Sequence, residues 1–258
     1  MGTPTPRRLY VHDDLSEELA RHGEDATIRQ LGRALFTLLA REPDRVVVLT
    51  PAAQIAALIE QGGHRPFGAV VAIGPAGAAV AAQVHERTGW FPSVWRVDVW
   101  REEDADGGYR LAAPAPLARQ LDALPGALPD AASLAVVDDT IFSGLTMREV
   151  LAALPSRLRS RAHVFCLRAV AECLAEIRRL APATAGFAAP GRLLTDVSFI
   201  NASGLVRRGA IRRTGRPPLA FFERPEWMAA WFPGYDADVV AACRALHERL
   251  EAGPLVRR

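Results

Sequence analysis

Short, unbroken apolar runs alternate with segments of helical period through the middle of the chain, and this alternation constrains the fold more than any other feature. Ala69 to Ile73 and Leu134 to Val137 are apolar at consecutive rather than alternate positions, and Ala162 to Ala169 is a largely apolar run of the same kind, the mark of strands buried on both faces. Ser93 to Val99 reads as a further strand, and Arg45 to Thr50 (RVVVLT) as a short β-branched one. Helical stripes lie between them: Pro51 to Gln61, a helix carrying Val80 and Val84 that Gly89 caps, one carrying Met147, Val150, Leu151 and Leu154, and one carrying Leu174, Ile177 and Leu180. Strand and helix in turn predict an α/β fold, a parallel sheet flanked by helices. In such sheets ligands collect at the carboxyl ends of the strands.

Outside this core the pattern changes. Ile28, Leu31, Leu35, Leu38 and Leu39 share one stripe after the capping candidates Asp25 and Thr27, so residues 1–44 are expected to form an N-terminal helical segment and 45–190 the α/β core. Residues 191–258 are expected to be a separate C-terminal subdomain. They hold the run RLLTDVSFINASG, an arginine cluster, an aromatic stretch from Phe221 to Phe232, and a last helix with Val240, Cys243, Leu246 and Leu250. Residues 101–116 (REEDADGGYRLAAPAP) read as a long exposed loop or loose hairpin.

Composition excludes several chemistries. A chain of 258 residues, 50% hydrophobic and 23% charged, has ample material for a core and is not a disordered one. Net charge is +2, which gives no global attraction to nucleic acid or an anionic membrane. All 31 basic residues are arginine, so Schiff-base and P-loop lysine chemistry are ruled out. The start MGTPTPRRLYVHDD lacks the apolar stretch of a secretion signal, and the apolar runs are too short to span a bilayer, so the chain reads as cytoplasmic. Cys166, Cys173 and Cys243 are odd in number without paired spacing, and are expected to be reduced and buried. The histidines, His12, His22, His64, His85, His163 and His247, lack ligand spacing.

The stretch that carries chemistry is Leu134 to Met147, LAVVDDTIFSGLTM. A buried strand delivers Asp138 and Asp139 at its carboxyl end, and small and hydroxyl residues then enter a helix N-terminus. Amides of that turn, with the Thr140, Ser143 and Thr146 hydroxyls, would cradle a phosphate with the help of the helix dipole. Gly144 would let the main chain approach closely. The carboxylates suit the hydroxyls of a sugar phosphate rather than the phosphate itself.

This arrangement resembles the signature of type I phosphoribosyltransferases: an apolar strand, two acidic residues, three variable positions, then Ser/Thr, Gly, any residue and Ser/Thr. Asp138, Asp139, Ser143, Gly144 and Thr146 match it, and the resemblance extends over about residues 65 to 180. It implies binding of phosphoribosyl pyrophosphate (PRPP) along Asp138, Asp139, Thr140, Ile141, Phe142, Ser143, Gly144, Leu145 and Thr146. Pyrophosphate would meet the loop Gly74-Pro75-Ala76-Gly77, where the family's common Arg-Gly-Gly is absent. Asp138, Asp139 and Arg101 would be catalytic, and Mg²⁺ would bind mainly through PRPP with no protein cage. The implied activity is that of a pentosyl glycosyltransferase of nucleotide metabolism. It moves the 5-phosphoribosyl group to a nucleobase or another small aromatic acceptor and releases pyrophosphate. A homodimer is implied by the same analogy.

The acceptor is harder to read. The family's 6-oxopurine enzymes carry aspartate where this chain has Phe142, and the missing lysines depart from the orotate enzymes. Phe221, Phe222, Trp227, Trp231 and Phe232 could stack a flat acceptor, and Arg207, Arg208, Arg212, Arg213 and Arg216 could pair with its carboxylate. The same residues also suit a small core with a solvated charged face. The alternative function is a non-catalytic PRPP sensor or nucleic-acid-binding module on the same fold, using the arginine-rich segment 207–216, against which the near-neutral charge weighs.

Overall fold

A computed structural model describes residues 3–22, 25–63, 66–124 and 133–252; His64 lies outside them. The chain divides into two compact units, Ala52–Leu193 and a unit joining Met1–Pro51 to Leu194–Arg258.

In the first unit, strands β3 (Ala69–Ile73), β4 (Val94–Val97), β7 (Leu134–Ile141), β8 (Ala162–Val170) and β9 (Ala183–Ala189) form a five-stranded sheet in the order β4-β3-β7-β8-β9. Every pairing is parallel, with Ala69 opposite Leu134 and Leu134 opposite Ala162. The helices are α3 (Pro51–Gln61), α4 (Gly74–Thr88), α5 (Leu117–Leu121), α6 (Leu145–Ala153), α7 (Ser156–Arg159) and α8 (Ala171–Arg178). Continuous apolar strands serve two cores at once. Val71, Ile73 and Val136 pack with Met147, Val150, Leu151, Leu174 and Ile177. Val70, Ala72, Ala135 and Val137 pack with Ile55, Leu58, Val80, Val84 and Phe165. The expected α/β sheet flanked by helices is the observed one, and Gly89 caps α4 at φ 70°. Leu180 does not join its expected stripe: α8 ends at Arg178, leaving Leu180 half exposed.

From β3 the chain runs outward to β4, then crosses back to β7 on β3's other side. The strand order therefore reverses between β3 and β7. In open parallel sheets ligands collect at such a switch point, beside the carboxyl ends of its two strands. Ile73 and Asp138 lie near those ends.

In the second unit, β1 (Arg8–His12), β2 (Val46–Leu49) and β10 (Val197–Asn201) form a parallel sheet in the order β10-β1-β2. The expected boundaries at 44/45 and 190/191 differ from this arrangement. Arg45 to Thr50 supplies a strand here rather than to the α/β core, and residues 1–44 contain β1 as well as helices α1 (Ser16–Arg21) and α2 (Ala26–Leu39). The reason is burial: β1 brings Leu9 and Val11 into one core with Leu35, Leu39, Val46 and Ile200. Asp25 caps α2, accepting from the amides of Thr27 at 2.9 Å and Ile28 at 3.1 Å. Helices α9 (Ala202–Val206), α10 (Pro225–Trp231) and α11 (Asp236–Ala252), a 3₁₀ turn at Phe221–Glu223, and an antiparallel hairpin of β11 (Ile211–Arg213) and β12 (Arg216–Leu219) complete the unit.

The aromatic stretch is core. Phe222, Trp231 and Phe232 are buried, and the partly buried Phe221 and Trp227 pack against the same cluster. The arginines are engaged too: Arg207 pairs with Glu18 and with Glu251 at 3.0 Å, Arg208 holds Glu223 at 2.8 Å, and Arg213 donates to the Pro217 carbonyl. Cys166 and Cys243 are buried as expected, whereas Cys173 is half-buried. Burial pushes the Cys243 thiol up to about 12. Among the described residues, no helix is long and apolar enough to cross a membrane.

Candidate functional site

β7 carries the acidic pair inside the strand rather than after it: Asp138 faces Cys166 of β8 in register, and Thr140 faces Arg168. Both aspartates are half-buried. The Asp139 amide donates to Asp138 Oδ1 at 2.9 Å, and the Thr140 hydroxyl donates to Asp139 Oδ2 at 3.1 Å. Thr140 is thus a strand residue whose hydroxyl serves the carboxylate.

The bend Phe142-Ser143-Gly144 feeds α6. Gly144 sits at φ 72°, where a side chain is strained. A Cβ there would also stand 3.3 Å from Arg148 Nη1 and 3.5 Å from Ile177 Cδ1. The Ser143 hydroxyl accepts from the Leu145 amide at 3.4 Å, and the first intrahelical bond runs from the Arg148 amide to the Gly144 carbonyl at 2.9 Å. The amides before it and the Thr146 hydroxyl are the groups of this nine-residue helix that can meet an anion.

Across the switch point, Gly74-Pro75-Ala76-Gly77 is not a loop. It is the opening turn of α4, with Ile73 as the extended N-cap and proline in the first turn, a position that suits a residue without an N–H. Gly77 lies against β7: a Cβ at this position would fall 2.5 Å from the Val137 carbonyl oxygen and 3.4 Å from Asp138 Cα. The contact fixes one helix start beside the acidic pair. Residues 101–116 begin with an antiparallel hairpin, β5 (Trp100–Glu103) with β6 (Tyr109–Ala112). The exposed Arg101 places its guanidinium 5.8 Å from the centre of the half-buried Phe142 ring, within cation–π range. The structure therefore brings Arg101 to the turn, and the start of α4 to the acidic pair.

Arg168 is the residue that sequence reading missed. It is fully buried, 0% exposed, and its Nη2 donates to Asp139 Oδ2 at 3.0 Å. The available signal was a lone cation in the apolar strand AHVFCLRAV, since a buried arginine needs a partner.

Burial, and next the negative charge of Asp139, hold the Asp138 carboxyl well above the usual carboxylate range. A carboxyl raised on folding stabilises the native state at low pH, and that contribution is lost as pH rises from the unfolded to the folded value. Asp138→Asn is accordingly expected to stabilise the fold at neutral pH and to lose the advantage in acid. Urea denaturation of both proteins over a pH series checks this; a gap that is constant with pH would contradict it.

No family model matches the chain, and no curated protein matches it. Among solved structures it is similar to a hypothetical protein from Neisseria gonorrhoeae with bound ppGpp, at 20% identity over 57% of this chain and 81% of that one, TM-score 0.41. It is also similar to a purine phosphoribosyltransferase from Pyrococcus horikoshii (13% identity, 74% and 92% covered, TM-score 0.34). An orotate phosphoribosyltransferase from Aeropyrum pernix is a third (18%, 53% and 70%, TM-score 0.34).

Proposed function

We propose that the chain is a phosphoribosyltransferase, transferring the 5-phosphoribosyl group from PRPP to a nucleobase or another small aromatic acceptor and releasing pyrophosphate. One observation carries the reading: a strand bearing two carboxylates near its carboxyl end passes through a glycine bend into a helix N-terminus, at the switch point of a parallel sheet. Asp138 and Asp139 meet the ribose hydroxyls. The amides of Ser143 and Gly144, with Thr146, hold the 5-phosphate. The first-turn amides of α4, Pro75 excepted, face the pyrophosphate together with Arg101.

In the reaction C1 of the ribose becomes cationic as the C1–O bond to pyrophosphate breaks, and the acceptor's electron pair forms the new bond. The carboxylate pair favours the cation, and the helix amides and Arg101 favour the leaving group. Mg²⁺ accompanies this donor and, when bound, neutralises part of the pyrophosphate charge. It would be held mainly by the donor's own oxygens. Among the described residues, no group of three or more His, Cys, Asp or Glu side chains could hold a metal by itself.

Calorimetric titration with PRPP and Mg²⁺ tests the assignment, with ribose 5-phosphate as the simpler probe; no heat from either would refute it. A screen for pyrophosphate release against purines, pyrimidines and aromatic acids identifies the acceptor. Hypoxanthine and guanine are expected to be poor, because Phe142 offers no acceptor to a purine N–H and an unpaired buried N–H costs about 1–3 kcal/mol. Arg101→Ala is expected to lower kcat more than it raises KM, since charge on the pyrophosphate grows toward the transition state. A raised KM at unchanged kcat would instead assign Arg101 to uniform binding.

A further inference from the structure

Arg168 is an expensive residue in its position. It stands on β8 inside the sheet, 0% exposed, with its ion pair to Asp139 at 3.0 Å. Burying an ion pair sacrifices hydration that the pair's attraction often fails to repay, and apolar side chains of similar volume commonly stabilise as well or better. Stability alone therefore gives a weak reason for an arginine at this point of an otherwise apolar strand. Its partner, however, is one of the two carboxylates at the switch point, and that partner is also tied to the Thr140 hydroxyl.

We propose that Arg168 is a positioning residue of the site: from within the sheet it fixes Asp139 in one orientation and keeps the negative charge of the acidic pair there, leaving Asp138 as the carboxyl group that serves the ligand's hydroxyls. The part about hydroxyls rests on the phosphoribosyl reading above. The tie between Arg168 and Asp139 rests on the geometry alone.

Two adjacent full charges would repel a phosphate-bearing ligand. With Arg168 opposite Asp139 and Asp138 raised by burial and by its neighbour, the pair carries one negative charge rather than two. The groups around Asp138 are consistent with that arrangement. Cys166 faces it across the ladder and keeps its proton, because burial raises the thiol. Strand β3 contributes no titratable side chain. The titratable residues of α4, His85, Glu86 and Arg87, lie in its second half. At the start of α6, Arg148 is paired with Glu176 at 3.1 Å, and Arg101 lies over Phe142.

The test uses the full chain without ligand. Aspartate carrying ¹³C at Cγ is followed by NMR through a pH titration, with the two resonances assigned by their loss in Asp138→Asn and Asp139→Asn. In the wild type the Asp138 resonance should titrate above the ordinary carboxylate range while Asp139 stays still in that step. Arg168→Lys, which keeps the charge, should preserve this order. Arg168→Met should make the two resonances move together and shift the Asp138 midpoint by about one pH unit or more, the effect of an opposite charge within a few ångströms. Resonances that already move together in the wild type, or a folded Arg168→Met with unchanged midpoints, would overturn the proposal. If Arg168→Met does not fold, the wild-type and Arg168→Lys titrations decide. Because no ligand enters, a failure of PRPP to bind would sink the functional reading and leave this one standing.

Discussion

Asp139→Asn is expected to lower pyrophosphate release from PRPP by about 100-fold or more, the order of a lost electrostatic partner in a preorganised site. The barrier is charge separation at C1, and Asp139 is the carboxylate that Arg168 holds in place at 3.0 Å. Asparagine keeps the shape and removes the charge. It also leaves Arg168 buried without its anion, so the variant should lose stability as well as turnover. Asp138→Asn should behave differently, with a smaller loss of turnover and a gain in stability at neutral pH, because the group it removes is one that burial disfavours when charged. Steady-state kinetics beside urea denaturation separates the two. Wild-type turnover in both variants would make the turn a structural one.

That contrast was only partly legible in the sequence. The strand, the acidic pair and the glycine could be read because continuous apolar runs, adjacent aspartates and a Ser-Gly step are local patterns. Arg168 could not be placed, since its meaning depends on which strand pairs with β7 and in what register, and pairing is non-local. The same reason hid β1: Arg8–His12 is short and flanked by charge, and its partners begin at Val46 and Val197. Thr140 reads as part of the turn because the unbroken apolar run stops at Val137, whereas β7 runs on to Ile141. The segment Gly74-Pro75-Ala76-Gly77 reads equally as a turn or as a helix start, since glycine and proline mark turns while proline is also at home in the first turn of a helix. The aromatics after residue 220 were ambiguous by nature, since burial and ligand stacking call for the same side chains.

The two sides of the switch point come from separate stretches of chain, and the close approach of Gly77 to β7 is one contact between them. Gly77→Ala tests it. The new Cβ would stand 2.5 Å from the Val137 carbonyl oxygen and 3.4 Å from Asp138 Cα, both backbone atoms of the central strand. Neither can rotate away as the tip of a side chain could, so α4 must lift from the sheet or β7 must bend. Overpacking of this kind costs about 1–3 kcal/mol and occasionally more, or roughly 2–10 °C in Tm for a unit of this size. Ala76→Val, one position earlier and exposed, is the control and should stay within about 0.5 kcal/mol of wild type. Because the displaced parts are the α4 amides and the strand bearing Asp138, PRPP affinity should fall in Gly77→Ala even below its melting range. Thermal unfolding and calorimetry together decide the matter: an unchanged Tm would show that α4 does not rest on Val137, and a lowered Tm with full PRPP affinity would remove the start of α4 from the site.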